Sequence, residues 1–392
     1  MPWLAERARA ELADIAAAER TRLRQTVGAS RADGQVRCAD GQWRRVFCSN
    51  DYLGLAGDPR LAAAAAGADA SGARASQHVC GYHAEQAALE AELAAVLGVP
   101  RVLVGGSGYA LNSGAIAVLA GAQDQIYSDA LNHASLIDGC RLSRARVQRY
   151  AHADLADLQA HLDSAVRPPA GQLIVTDALF SMDGDVAPLA GLLDLARRRD
   201  AALYVDDAHG FGWAGPGGSG HLAAAGLADA RVVQLVTFGK ALGGGSGGFT
   251  AGRQEIIDIL RQRSRPYLFS NTLAPAICAA SLKVLDMLES STVLRDTLHE
   301  NTRYFREQMQ ASGFAVPEGD HPIVPVMLGD AVVAQKMSER LLELGIYAIG
   351  FFYPVVPQGK ARIRVQISAG HTRDDLDKAV SAFTTAHGEL AA

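Results

Sequence analysis

Short runs of wholly apolar residues, each preceded by an amphipathic helical stretch, recur between about residues 85 and 250 and leave few folds open. A helical pattern over 85–97 precedes Arg101–Val104. Leu155–Leu162 precedes Leu173–Thr176, Leu189–Arg199 precedes Ala202–Val205, and Val232–Thr237 follows. A strand apolar at every position is buried on both faces, and the helices between such strands serve as right-handed crossovers. The pattern predicts an α/β fold: a mainly parallel central sheet with helices on both faces.

The pattern changes on either side of this region. Helices are expected over about 272–290, 294–312 and 331–344, around strands near Ile323–Met327, Ile346–Ala348 and Arg362–Ile367. That reads as a smaller C-terminal α+β domain. Leu4, Ala8, Leu12 and Ile15 stand at helical spacing, so a helix is expected over about 4–26, followed by a β segment at Val36–Phe47 with a turn at Ala39-Asp40-Gly41. The expected division is 1–50 for the N-terminal helix and β segment, 51–284 for a large domain, and 285–392 for the small one.

Net charge is −5, with no run of one sign, which argues against nucleic-acid and membrane-surface partners. Acidic residues among the arginines of 1–24 disfavour a signal or transit peptide, and no stretch approaches a membrane span. Five dispersed cysteines without a C-x-x-C pair suit reduced thiols in a cytoplasmic protein, and no metal site is expected.

Chemistry-bearing residues gather where strands end. Leu203-Tyr204-Val205-Asp206-Asp207-Ala208-His209 places two acids and a histidine at a strand terminus. Functional groups of open α/β sheets cluster at carboxyl ends of strands. Either acid could hold a proton on a pyridine nitrogen, and Asp206 is the better placed. Thr237-Phe238-Gly239-Lys240 sets a lysine just past a strand and before Gly243-Gly244-Gly245, where a Schiff-base amine could meet a ligand approached closely by backbone. Gly105-Gly106-Ser107-Gly108-Tyr109 joins a strand to a helix, the arrangement that holds phosphate on backbone N–H groups. It matches neither G-x-x-x-x-G-K-[ST] nor G-x-G-x-x-G. His133, in Asn132-His133-Ala134-Ser135, could stack on a flat cofactor, and Ser181 could bond a phenolic oxygen. Together these groups supply what pyridoxal 5′-phosphate (PLP) needs.

At these motifs, over nearly its whole length and in the same order, the chain resembles the α-oxoamine synthases, a branch of the fold-type I PLP-dependent transferases. The resemblance implies that Lys240 of T-x-G-K-A carries the cofactor, that Asp206 binds its ring nitrogen, and that His209 sits at its phenolic oxygen. It further implies that His133 stacks on the ring, that Ser107, Gly108 and Tyr109 with Thr237 hold phosphate, and that Arg364 of A-R-I-R binds the amino-acid carboxylate. Asn50 of Ser49-Asn50-Asp51-Tyr52-Leu53-Gly54-Leu55 lies near substrate. Such enzymes are acyltransferases that join a small amino acid to an acyl-CoA with loss of carbon dioxide, as homodimers.

The two parts of the chain resemble different members. Residues 1–240 look most like the alanine-plus-pimeloyl-thioester enzyme of biotin biosynthesis. Residues 241–392 look closer to the enzyme of glycine and acetyl-CoA, through Arg263–Asn271, Pro325–Asp330 and Gly350–Pro357. The loop Ser76-Gln77-His78-Val79-Cys80-Gly81-Tyr82 faces the amino acid in this family, and its Ser76 and His78 lean toward the alanine enzyme. On that loop the expectation is alanine with a pimeloyl thioester, with glycine and acetyl-CoA second and an aminotransferase more remote.

Overall fold

A computed structural model describes residues 2–17, 21, 24–164 and 170–391. The strands, in chain order, are β1 (Val27–Ser30), β2 (Gln35–Cys38), β3 (Trp43–Val46), β4 (Arg101–Gly105), β5 (Gln125–Asp129), β6 (Arg146–Tyr150) and β7 (Gln172–Asp177). They continue as β8 (Ala202–Asp206), β9 (Val232–Thr237), β10 (Gly248–Gly252), β11 (Ile323–Gly329), β12 (Ile346–Tyr347), β13 (Ile349–Phe351) and β14 (Ala361–Gln366). Seven of them form the central sheet, in the order β4-β10-β9-β8-β7-β5-β6. Every pairing from β9 to β6 is parallel, and β10 alone runs antiparallel to its neighbours β4 and β9.

Of the apolar runs read from the sequence, three are the inner strands β7, β8 and β9 of this sheet, and the fourth, β4, stands at its edge. Ile174, Leu203 and Val205 pack with Leu158, Leu192 and Leu193 on one face, and Val175, Tyr204 and Leu235 pack with Leu111, Ile116 and Leu136 on the other. Each fully buried Val or Leu contributes ~1.5–3 kcal/mol over its exposed state, so both faces hold their helices firmly. Three strands of this sheet were not placed by the sequence reading: β5, β6 and β10. In β6 the arginines stand among mostly exposed positions, because it is the sheet edge. In β10 flanking glycines mask a buried strand.

Helix ends follow local chemistry. Ser107 caps Gly108–Leu119, Asp154 caps Leu155–Asp163, and Gly98 closes Ala84–Leu97 in the left-handed region at φ 62°. The N-terminal helix spans Pro2–Ala17 and residues 24–26 are not helical, so it is shorter than expected; residues 18–20, 22 and 23 lie outside the described set. The helix expected from 272 begins at Pro275, whose ring suits the first turn. The strand expected at 346–348 is two: β12 joins β3 in the N-terminal sheet, while β13 pairs with β14.

The C-terminal sheet, β11-β14-β13, is antiparallel and is covered by Ala331–Glu343 and by Arg373–Ala391, a helix the sequence reading did not place. Gln366 N–H donates to Phe47 O at 2.7 Å and Ala369 N–H to Tyr52 O at 2.8 Å. These bonds staple the C-terminal strand to the segment bearing Asn50, and one core cluster continues from Val236 and Phe249 to Phe305, Val365 and Phe383. Among the described residues no helix is long and apolar enough to cross a membrane.

Candidate active site

Three parallel strands end in aspartates: Asp129 on β5, Asp177 on β7 and Asp206 on β8. Asp177 and Asp206 lie side by side in register. Asp177 accepts from the backbone N–H of His133 at 2.7 Å, and burial beside the Asp206 charge raises its pKa well above the usual carboxylate range. Asp206 accepts from Asn112 Nδ2 at 2.6 Å and from Ala208 N–H at 3.0 Å. Asp207 has a different environment. Both its oxygens are used inside the fold, by His221 Nδ1 at 2.8 Å, His221 N–H at 2.7 Å and Gln234 Nε2 at 3.1 Å. The adjacent acids therefore diverge: Asp207 ties the 206–221 segment to β9, and Asp206 sits among Lys240, His133 and Asp177.

Lys240 follows β9 by three residues. Its pKa falls to about 8 because burial disfavours the ammonium, against the opposing pull of Asp206, Asp177 and Asp207. An amine so shifted is about half free as a nucleophile near pH 8, far more than an ordinary lysine. Near it, the helix Gly108–Leu119 opens under its cap Ser107, and its first N–H groups have no intrahelical acceptor. Thr237 closes the other side. A Cβ added at Gly108 would stand 3.2 Å from Thr237 Cβ and 3.4 Å from its Oγ1, so glycine permits this approach. Tyr109 lies edge-on to His133, ring centroids 6.1 Å apart, with its hydroxyl on Asp138.

From the C-terminal sheet, β14 delivers two arginines with opposite fates. Arg362 is fully buried, with Nε donating to Lys360 O at 3.0 Å and Nη1 to Met182 O at 2.8 Å and to Asp183 Oδ1 at 2.7 Å. Arg364 donates Nη1 to Ser181 O at 3.0 Å, its guanidinium lies 4.8 Å over the Phe351 ring, and its Nε is buried without a partner. Burial lowers the pKa of Arg364, and among the described residues no carboxylate pairs with it. Asn50 Oδ1 accepts from Gln366 Nε2 at 2.6 Å, on the same strand. His209 is buried, its Nδ1 is 2.7 Å from Tyr52 Oη, and burial with nearby cations holds its pKa well below the usual imidazole range.

The family profile described as aminotransferase class I and II matches residues 46–383. A 2-amino-3-ketobutyrate coenzyme A ligase of Salmonella typhimurium is 50% identical over 359 residues, covering 91% of this chain and 90% of its own. An 8-amino-7-oxononanoate synthase of Symbiobacterium thermophilum is 44% identical, covering 90% of each chain. A solved serine palmitoyltransferase of S. paucimobilis carrying bound PLP and myriocin superposes with a TM-score of 0.90 at 29% identity, over 94% of this chain and 93% of its own. The chain belongs to the α-oxoamine synthase branch of the class I and II aminotransferases. It is a PLP-dependent C-acyltransferase of fold type I.

The residues of this synthase suit that cofactor. A lysine with a depressed pKa, a strand-end acid with no cationic partner at hydrogen-bond distance among the described residues, and a helix N-terminus facing a threonine meet the needs of an aldehyde, a pyridinium and a phosphate. Of the residues expected at the site, Lys240, Asp206, His133, His209 and Arg364 influence one another's charge states and form one group. Ser107, Gly108 and Thr237 form the adjoining cradle, and Ser181 reaches the group through its carbonyl on Arg364. Ser76 and His78 are not drawn into these contacts. Ser76 opens the turn Gln77–Gly81 with no side-chain cap, and His78 is exposed, with Nε2 3.1 Å from Arg261 O and its ring against Tyr267.

Sequence reading missed several residues here. Asp177 and Asn112 carry no motif of their own, and Tyr52 lies in the Ser49–Leu55 motif but was given no role. The available signal was a polar side chain on an otherwise apolar run, as Asn112 is between Leu111 and Ala115–Ile116. His152 was missed as well. It bridges Asp129 at 3.0 Å and Asp185 at 2.8 Å, and these two carboxylates raise its pKa to about 10. The bridge pins the 180–185 turn, whose carbonyls hold both arginines of β14.

Proposed function

We propose that this synthase condenses glycine with acetyl-CoA, giving 2-amino-3-oxobutyrate and CoA. The observation that carries the reading is the 50% identity, over nine-tenths of the chain, to a 2-amino-3-ketobutyrate coenzyme A ligase. It favours the second of the reactions expected from the sequence over the first, alanine with a pimeloyl thioester. Carbon bookkeeping separates the two. Glycine and acetyl together supply every carbon of an aminooxobutyrate, so no carbon dioxide leaves. Alanine and pimeloyl supply one carbon more than an aminooxononanoate holds, so one is lost. On the glycine reading the carboxylate stays in the product, and Arg364 keeps one partner from substrate to product.

Bound PLP supplies an aldehyde that captures the amino group and a ring that takes up the electron pair left when a Cα–H bond breaks. The chain's groups would divide the remaining work. With PLP bound, Lys240 would be the residue that holds it between turnovers, and its freed amine would take the Cα proton. Asp206 would keep the ring nitrogen protonated, His133 would pack on the ring, and His209 and Ser181 would serve its phenolic oxygen. Ser107, Gly108, Tyr109 and Thr237 would hold the phosphate. Arg364 and Asn50 orient the amino acid, and the Ser76–His78 loop borders it. A new bond joins Cα to the acetyl carbonyl carbon as the carbon–sulfur bond breaks and CoA leaves as its thiol. A homodimer with the site at the subunit interface completes the proposal.

The test is free-CoA release with glycine, alanine and serine crossed against acetyl-CoA and pimeloyl-CoA, with carbon dioxide measured alongside. Glycine with acetyl-CoA, without carbon dioxide from the enzymic step, is the expected result. Turnover confined to alanine with pimeloyl-CoA, releasing carbon dioxide with each CoA, overturns it.

A further inference from the structure

The motif containing His133 and the strand end bearing Asp206 are joined by a side chain outside both. Asn112 lies four residues inside the helix that opens at Gly108, is 1% exposed, and has every polar atom engaged. Its Oδ1 accepts from Tyr204 Oη at 2.9 Å, and its Nδ2 donates to Asp206 Oδ2 at 2.6 Å and to Ser135 Oγ at 2.9 Å. The reversed amide would set a carbonyl oxygen against the Asp206 carboxylate, acceptor against acceptor, so the orientation is forced.

The direction of the next bond is set by a backbone donor. Ser135 Oγ accepts from Asn112 and lies 2.7 Å from His133 Nδ1. The backbone N–H of Ser135 donates to that nitrogen at 3.3 Å, since His133 caps its helix, so the Ser135 hydroxyl meets a lone pair there and donates as well. Two donors converge on Nδ1, so Nδ1 presents a lone pair and the ring proton is on Nε2. We propose that Asn112, acting through Ser135, is the positioning residue that locks His133 as its Nε2–H tautomer and ties it to Asp206. His133 then meets cofactor or substrate as a hydrogen-bond donor, and Nε2 is not available as a base. This extends the assignment of His133 and Asp206 to the PLP site.

The test is ¹⁵N NMR of the PLP-loaded enzyme labelled at histidine, with the His133 signals identified by their loss in His133→Asn. The expected wild-type spectrum has Nδ1 unprotonated and Nε2 protonated. Ser135→Ala is expected to mix the tautomers and to lower kcat about tenfold, the equivalent of one lost hydrogen bond, with little change in KM. Bound PLP, read from its visible absorbance, is expected to stay at the wild-type level. A wild-type His133 protonated on Nδ1 overturns the inference without any variant. A Ser135→Ala enzyme with unchanged tautomer and kcat overturns it too. A wild-type protein that takes up no PLP refutes the cofactor assignment itself, a different failure from a wrong tautomer.

Discussion

Replacing Arg364 with methionine is expected to destroy substrate use while slightly stabilising the ligand-free enzyme. Its guanidinium makes one hydrogen bond, to Ser181 O, lies over Phe351, and leaves Nε unsatisfied in the interior. A buried charge without a counter-charge costs several kcal/mol, and the carbonyl and the aromatic face offset only part of it, the latter by ~0.5–2 kcal/mol. Methionine fills similar volume without that charge, so a net gain of ~1 kcal/mol, roughly 1–2 °C in Tm for a chain of this size, is expected. The substrate carboxylate would bring two charge-assisted bonds, each worth ~1.5–3 kcal/mol. Their loss predicts a fall of roughly 10²–10⁴-fold in kcat/KM, chiefly through the KM for the amino acid. Arg362→Met is the control, because it removes three hydrogen bonds, one of them to the partly exposed Asp183, and should cost ~1–3 kcal/mol. Calorimetry and steady-state kinetics on both variants decide the matter. If Arg364→Met is destabilised as much as Arg362→Met, or keeps kcat/KM within about threefold of wild type, the reasoning is refuted.

Other expectations follow from the same geometry. The rate at which apoenzyme captures PLP should climb with pH and level off above about 8, as the Lys240 ammonium gives up its proton; borohydride reduction and peptide mass mapping should place the pyridoxyl group on Lys240, and another site would discard the assignment. His152→Gln should destabilise most in acid. The folded pKa of His152, about 10, lies above the unfolded 6.5, so its contribution is full below pH 6.5, shrinks above it and is gone past pH 10. With screening by its partial exposure, ~1–3 kcal/mol at pH 6 is expected from urea unfolding, and a cost independent of pH would contradict the bridge. Gly210→Ala should cost ~3 kcal/mol or more, because its Cβ would stand 2.0 Å from His221 Nδ1 and 2.3 Å from Asp207 Oδ1; wild-type thermal stability would show that this network gives way cheaply.

How far the fold was legible depended on whether burial shaped each segment directly. β7, β8 and β9 are buried on both faces, and that environment admits only apolar residues, so their runs mark them. β10 is as buried, yet glycines at both ends and a threonine within give its five residues no apolar continuity. The sequence reads as one strand at 346–348 where the structure has two, 346–347 and 349–351, because which sheet a strand joins is decided by pairing partners far away in sequence: Arg45 and Val46 for β12, Arg362 to Arg364 for β13.

The site followed the same division. Lys240, Asp206, His209 and His133 stand at strand and helix ends, where a reactive group needs a recognisable turn, and turns carry local signatures. The choice between Asp206 and Asp207 does not, since it turns on where His221 and Gln234 bond, which no spacing encodes. The amino-acid preference is subtler still. Reading it from Ser76 assumes that one side chain sets the room beside Cα. Ser76 makes no side-chain cap bond, whereas its neighbour Gln77 is held by Thr272 and Gln86 against the carbonyl of Val104, so the loop's position depends on residues of three other segments. A methylene in such a pocket changes selectivity by only ~1–3 kcal/mol, less than a small shift of the whole loop. The choice between glycine and alanine is therefore spread over the scaffold that seats the loop, and similarity over the whole chain weighs more on it than the loop's own letters.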